Sequence, residues 1–170
     1  MKELEVKVIE INKIQVIKKL VSLGAKKIAE CDVSTTVFDT PKKDFHNSNK
    51  TLRLRKKGKY YLTLKEHKAG KFAKEDDEYE VEVSDFSVMK TLLEKVGLVS
   101  EELKPSHRIT YKLENSLVEI QEFKEIPPYF EVESPNEKEL RKILDLLEVD
   151  KSKVRNWNGW ELFSHYKIAP

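Results

Sequence analysis

Sulfur chemistry is nearly absent from this sequence, which has a single cysteine, Cys31. That excludes an intramolecular disulfide and a cysteine-built zinc site, and Cys31 reads as a small buried apolar residue. Long apolar runs are also missing, so no membrane-spanning helix is expected. Glu3 and Glu5 stand where the apolar core of a secretory leader would begin. A soluble, cytoplasmic protein is expected, in which Asn49-Lys50-Thr51 matches a glycosylation acceptor by chance. Nor is one sign of charge in excess: 32 Lys and Arg face 30 Asp and Glu, for a net charge of +2. This balance argues against a protein that coats a polyanion and makes nucleic acid an unexpected partner, while allowing local clusters of either sign. The 170 residues show no internal boundary. One domain over 1–170 is expected, large enough to bury a core unaided.

What the sequence does have is alternation. In Lys2-Glu3-Leu4-Glu5-Val6-Lys7-Val8-Ile9, apolar Leu4, Val6 and Val8 fall opposite Glu3, Glu5 and Lys7, a strand pattern. From Asn12 the period becomes helical through Ile14, Ile17, Leu20 and Val21, with Gly24 as terminator. The same grammar returns twice. Glu78, Glu80 and Glu82 alternate with Tyr79, Val81 and Val83 before a helix from Asp85 to Gly97. Glu131 and Glu133 flank Val132 before a helix opened by Ser134-Pro135. Further strands carry Arg53 and Arg55, then Thr63 and Lys65, then Arg108, Thr110 and Lys112. A final hairpin turns at Asn115-Ser116. Pro41 to Lys50 is polar and unpatterned and reads as a mobile loop.

Nearly every strand therefore has one apolar and one charged face. Helices can cover the apolar faces, leaving the charged faces to converge on an open sheet or inside a closed barrel. The charged set joins Glu3, Glu5, Glu80, Glu82, Glu131 and Glu133 with Lys7, Arg53, Arg55, Lys65 and Arg108. Carboxylates ligate Mg²⁺ and Mn²⁺, and Arg and Lys pair with phosphate oxygens, so the set suits a phosphate chain bridged to metal. A charged strand face is more often merely solvated, and periodicity alone does not separate these readings.

The order of the motifs does. Glu3-Leu4-Glu5-Val6-Lys7 is followed by Leu52-Arg53-Leu54-Arg55, Leu62-Thr63-Leu64-Lys65, Glu80-Val81-Glu82, Arg108 with Tyr111, and Glu131-Val132-Glu133. This succession resembles the CYTH superfamily, the triphosphate tunnel metalloenzymes, over about the first four-fifths of the chain. The resemblance implies an α+β fold: a closed, eight-stranded antiparallel β-barrel, or tunnel, with a charged interior and helices packed outside. It implies Mg²⁺ or Mn²⁺ on Glu5, Glu131 and Glu133, with Glu3, Glu80 and Glu82 supplying a second site or holding coordinated water. Lys7, Arg53, Arg55, Lys65 and Arg108 would bind phosphates, and Arg155 would stand at a late basic position. Lys7, Lys65 and Glu5 would be the catalytic positions. Three residues depart from the pattern: Ser106 replaces a basic residue, Gln121 an Asp and Pro127 a Gly.

The implied activity is metal-dependent hydrolysis of tripolyphosphate, a nucleoside triphosphate or thiamine triphosphate, by a monomer or homodimer. Class IV adenylyl cyclase activity, making cyclic AMP and pyrophosphate from ATP, is the alternative. A non-enzymatic module binding polyphosphate or a 5′-triphosphate RNA end is the rival from another class. Trp157 and Trp160 read as anchors of a terminal helix. The four histidines share no ligand spacing, although His67 and His107 adjoin matched residues.

Overall fold

The computed structural model describes residues 2–68 and 72–169, and only the backbone of Lys2 and Glu3. In chain order the elements are β1 (Lys2–Val8), α1 (Lys13–Ser22), β2 (Lys26–Asp39), α2 (Asp44–Asn47), β3 (Lys50–Lys57), β4 (Lys59–Lys68) and β5 (Lys74–Val83). Then follow α3 (Phe86–Lys95), β6 (Val99–Glu102), β7 (Ser106–Leu113), β8 (Ser116–Glu122), β9 (Tyr129–Ser134), α4 (Glu137–Leu146), β10 (Val154–Arg155) and α5 (Gly159–His165).

Eight strands run in the order β1-β5-β4-β3-β2-β7-β8-β9, and β9 pairs back onto β1. Each neighbouring pair is antiparallel, so the sheet closes into a barrel without a free edge between its ends. Two short strands sit off this ring, β6 against β2 and β10 against β1. The closed alternative is thus the one adopted, with the helices outside.

Helix boundaries follow local chemistry. Asn12, Asp85, Asn136 and Asn158 each accept a backbone N–H from the first turn of α1, α3, α4 and α5, and Glu161 completes a capping box at α5. The cap of α4 is Asn136, one residue past the expected Ser134-Pro135, because its carboxamide reaches Glu139 N. Gly58, at φ +78°, makes the tight turn between β3 and β4.

The apolar core lies outside the barrel wall. Val6, Val8, Val118, Ile120, Phe130 and Val132 meet Leu20 of α1 and Leu140, Ile143 and Leu144 of α4. A separate cluster joins Ile9, Ile126 and the cavity-lining Tyr129 to Leu162 and the cavity-lining Phe163 of α5, while on the outer face Phe38 and Leu54 meet Leu93 of α3. Because strand side chains alternate, burying these residues outward commits their neighbours inward.

Two segments differ from expectation. The 14-residue β2 carries no clean alternation, since Lys26 to Glu30 are exposed on both faces; it forms by pairing with β3 and β7. The stretch from Pro41 to Lys50 is organised, not unstructured. Asp39 accepts the backbone N–H groups of Thr40, Phe45 and His46, which fastens α2 to the end of β2. No helix among the described residues is long and apolar enough to cross a membrane.

Candidate functional site

A cavity of about 300 Å³ is lined by inward-facing residues from around the barrel. β1 contributes Glu5 and Lys7, β3 Arg53 and Arg55, β4 Lys65, β7 Arg108, β8 Glu119 and Gln121, and β9 Glu131 and Glu133. Strand register explains the convergence. Glu5 lies opposite Glu133, Lys7 opposite Glu131, Arg108 opposite Gln121 and Glu119 opposite Glu131. Cross-strand partners project to the same face with Cβ atoms roughly 4.5–5.5 Å apart.

The carboxylates and cations hold one another. Lys7 Nζ binds a Glu5 carboxylate oxygen and lies 2.8 Å from Glu131 Oε1, with all three side chains almost fully buried. Lys65 Nζ lies 2.5 Å from Glu78 Oε2, and Arg108 Nη1 2.5 Å from Glu119 Oε2. Burial alone would push the Glu5 carboxyl up, but the Lys7, Lys74 and Lys65 ammonium groups outweigh it and hold Glu5 well below the carboxylate range. Glu131 is lowered as well: burial and the repulsion of Glu5 are overcome by Lys7 and Arg108. Burial opposes the charge of Lys7, yet Glu131 and Glu5 raise its pKa above the ordinary lysine value.

Two arginines are balanced less closely. Arg55 Nε donates to the Thr35 hydroxyl at 3.3 Å, and no carboxylate comes within salt-bridge distance of its guanidinium among the described residues. Burial, with Arg53 and Arg108 close by, lowers its pKa to about 9. Arg53 reaches Glu78 only at 3.7 Å, and its buried Nε has no hydrogen-bond partner among the described residues. Gln121 turns its amide oxygen toward Arg108, accepting from Nε at 2.7 Å and Nη2 at 2.5 Å. A neutral acceptor there leaves Glu119 as the carboxylate paired with Arg108, where the Asp expected from the resemblance would add another.

Of the residues singled out from sequence, Glu5, Lys7, Arg53, Arg55, Lys65, Arg108, Glu131 and Glu133 share the cavity. Glu80 and Glu82 do not line it. Glu80 binds Lys57 at 3.2 Å and the Thr63 hydroxyl at 2.9 Å, while Glu82 binds Lys59 at 2.9 Å. Both share the parity of Asp76 and Glu78 but lie further along β5, past its pairing with β1, which covers only Lys74 to Asp77. Arg155 lies opposite Lys7 but turns away: it donates to the Ser152 and Val154 carbonyls and stacks on Trp157. The Glu3 side chain lies outside the described residues, although its backbone pairs with Asp76.

Sequence reasoning missed Glu119, Asp76, Lys74 and Tyr129. Glu119 was readable, since Leu117, Glu119 and Gln121 alternate with Val118 and Ile120. Trp157 anchors as expected, but Trp160 lines the cavity with Phe163, so α5 forms part of its wall.

Among the described residues, no three His, Cys, Asp or Glu side chains are gathered as a ready-made metal cage. The donor chemistry nevertheless fits Mg²⁺ or Mn²⁺. Glu5, Glu131 and Glu133 are oxygen donors on paired strands, and Lys7 already supplies a compensating positive charge between the first two.

Solved structures share this architecture. The PH1012 protein of Pyrococcus horikoshii OT3 is 27% identical, with a TM-score of 0.80 over 94% of this chain and 98% of that one. A Vibrio parahaemolyticus protein described as a candidate adenylate cyclase is 14% identical, with a TM-score of 0.78 over 95% and 97% of the two chains. HpAC1 from Hippeastrum, a candidate adenylyl cyclase described as having a dominant triphosphatase activity, is 17% identical, with a TM-score of 0.71 over 99% and 97%. No curated protein sequence matches. The model of the CYTH domain matches residues 1–156, the same stretch that builds the barrel and its charged wall, and the chain belongs to the CYTH domain family.

Proposed function

We propose that this cavity binds a triphosphate with a divalent cation and hydrolyses its terminal phosphoanhydride bond. The observation that carries the reading is the half-buried Arg53–Arg55 pair on the cavity wall, whose donors exceed the acceptors the described residues give them. A partly desolvated guanidinium such as that of Arg55, with no carboxylate at salt-bridge distance among the described residues, is costly, and an anionic ligand removes that cost. Phosphate oxygens match the guanidinium fork, and Lys65 and Arg108 extend the clamp along the same wall. Glu5, Glu131 and Glu133 would hold Mg²⁺ or Mn²⁺, which when bound supplies charge neutralisation between phosphate oxygens. Arg53, Arg55 and Arg108 orient the phosphate chain, and Lys7, released from Glu5 and Glu131, is free to reach a phosphate oxygen. The triphosphatase activity described for the Hippeastrum relative favours hydrolysis over cyclisation.

The test is product identification. The protein is incubated with tripolyphosphate, ATP and thiamine triphosphate, each with Mg²⁺ or Mn²⁺. Orthophosphate release supports the proposal, and cyclic AMP with pyrophosphate from ATP assigns cyclisation instead. No turnover of any of the three, with binding retained, makes the protein a triphosphate-binding module.

A further inference from the structure

On the wall formed by β3, β4 and β5, three polar side chains stand in series. Thr51 is the cross-strand partner of Lys65, and His67, two residues beyond Lys65, lies opposite Asp76. Alternation places Thr51 and Arg53 on one face of β3, and Thr51 and His67 both line the cavity. The His67 ring is held at both nitrogens: Nδ1 lies 2.7 Å from Asp76 Oδ1 and Nε2 2.9 Å from Thr51 Oγ1. Its backbone N–H donates to the Asn49 carbonyl at 2.8 Å, which fixes the strand end that carries the ring.

Asp76 is 2% exposed. Burial pushes its carboxyl up, but the His67 hydrogen bond and the Lys74 and Lys65 ammonium groups outweigh burial and lower its pKa to about 2. Asp76 is therefore a carboxylate and can only accept. In the neutral ring Nδ1 must then carry the proton, Nε2 must accept, and the Thr51 hydroxyl must donate. Hydroxyl, imidazole and carboxylate in that order draw a proton away from a nucleophile. The other charged or titratable groups on this wall include Lys50, Arg53 and Arg55 of β3, Lys65 of β4, Lys74 and Glu78 of β5 and His46 of α2, and Lys74 and Lys65 also reach Asp76, at 2.8 and 3.7 Å.

We propose that Thr51, His67 and Asp76 form the proton relay for triphosphate hydrolysis in this cavity, an inference that rests on the function proposed above. The Thr51 hydroxyl meets the attacking water. As the water oxygen bonds to the terminal phosphorus, the bond from that phosphorus to the leaving diphosphate oxygen breaks. The water proton passes to Thr51 Oγ1 while the Thr51 proton passes to His67 Nε2. The leaving oxygen keeps the electron pair of the broken bond, and its charge is met by the cavity's arginine and lysine side chains. Asp76 stabilises the imidazolium, which returns its proton to solvent as the products leave. Thr51 is the group that touches the nucleophile; His67 and Asp76 act through it.

The experiment compares the wild-type chain with His67→Gln, Thr51→Val and Thr51→Ser. Orthophosphate release from tripolyphosphate is followed at saturating Mn²⁺ from pH 5 to 10. A relay predicts a kcat loss of about 100-fold for His67→Gln and Thr51→Val, with KM changed less than about threefold. The acidic limb of the kcat profile should disappear in His67→Gln, and Thr51→Ser should recover at least tenfold over Thr51→Val. If His67→Gln fails to fold, the Thr51 pair decides. A wild-type kcat and pH profile in folded variants overturns the relay while leaving hydrolysis standing. A wild-type chain that turns over no triphosphate overturns hydrolysis and the relay together. Nitrogen-15 shifts of the His67 ring give a readout independent of turnover. A proton on Nδ1 with Nε2 bare is expected; the opposite tautomer overturns the relay, because Thr51 could not then pass a proton to the ring.

Discussion

Replacing Arg55 with methionine should make the ligand-free protein more stable, which is unusual for removing a charged residue from a barrel wall. Methionine keeps an unbranched, flexible stem and removes the guanidinium. The wild-type guanidinium is half-buried on the cavity wall beside Arg53 and Arg108, whose repulsion outweighs the attraction of Glu119 and Glu131, and among the described residues it hydrogen-bonds only the Thr35 hydroxyl. Its pKa falls from 12.5 to about 9, so the folded protein holds the protonated form less favourably than the unfolded chain does. At roughly 1.4 kcal/mol per pKa unit the full shift is about 5 kcal/mol, an upper bound. Solvent in the cavity screens part of it, leaving about 2 kcal/mol as the working value. For a chain of this size that is about 4–8 °C in melting temperature. The sign follows from the direction of the shift. A base whose folded pKa is depressed is destabilising wherever it is charged, hence at all pH values below about 9. The assay is a thermal melt at pH 7 in phosphate-free buffer, with and without tripolyphosphate and Mg²⁺. Ligand should raise the wild-type melting temperature by a comparable amount when present at about 100 times its dissociation constant. Arg55→Met should start higher and respond much less. A ligand-free variant that melts several degrees below wild type would show that the protein satisfies Arg55 without an anion, and would refute the reasoning.

Asp76 should set part of the acid limit of the fold. Its folded pKa of about 2 lies below the ordinary 3.8, so its stabilisation is complete above pH 3.8 and is lost as pH falls toward 2. Asp76→Asn should cost about 2 kcal/mol at pH 7 and flatten the stability curve between pH 4 and 2 in urea titrations; an unchanged curve would assign the acid limit elsewhere. Glu131→Gln should cost turnover at least 100-fold and destabilise the metal-free fold, since it takes a carboxylate from Lys7. Glu80→Gln with Glu82→Gln should change turnover less than about threefold, because both side chains pair with lysines away from the cavity. A large loss in that double variant would restore them to a metal role. Tripolyphosphate and Mg²⁺ together should raise the melting temperature by more than the sum of their separate effects, and Glu131→Gln should abolish the excess. Strict additivity would mean that the two ligands do not share the Lys7 pair.

Inward and outward faces were legible wherever apolar and charged residues alternate strictly, as in β1, β3 and β9. There the hydrophobic demand of the outer clusters fixes parity, and parity fixes which charges turn inward. The position of a residue along the barrel axis is a different quantity, set by pairing between distant segments. Glu80 and Glu82 have the right parity, but β1 covers β5 only as far as Asp77, so Asp76 is the acid of that face held against β1, and Glu78 is the last to reach the cavity's cations, Arg53 and Lys65. Arg155 shows a third limit. Its backbone sits beside Lys7, yet local carbonyls and the Trp157 ring capture its guanidinium. Thr51, His67 and Asp76 come from three strands and have no sequence spacing that could announce them. The long β2 was illegible for an energetic reason: its first half is exposed and contributes little apolar burial, so partner strands rather than patterning impose its conformation.

The barrel inverts the usual arrangement, with charges inside and apolar clusters outside, and the pairing inside determines what can enter. Lys7 with Glu5 and Glu131, Lys65 with Glu78, and Arg108 with Glu119 are buried pairs in which each partner offsets the desolvation of the other. A phosphate arriving alone could take Lys7 only by leaving Glu5 and Glu131 facing each other without the ammonium between them, held only by the more distant charges of Lys65, Lys74 and Arg108. A metal arriving alone could take the carboxylates only by stranding the Lys7 ammonium. Either half-exchange leaves a buried charge uncompensated, which costs several kcal/mol. Arriving together, the two would replace both halves of the pair at once: the cation would take the carboxylates and the phosphate the ammonium. Arg53 and Arg55 need no such exchange, because they begin with unsatisfied donors and provide the first hold on an anion. The ion pairs thus maintain the site when it is empty and also oppose a half-filled one. On the proposed function, coupling between metal and triphosphate would follow from that, and by linkage it would be the same seen from either ligand.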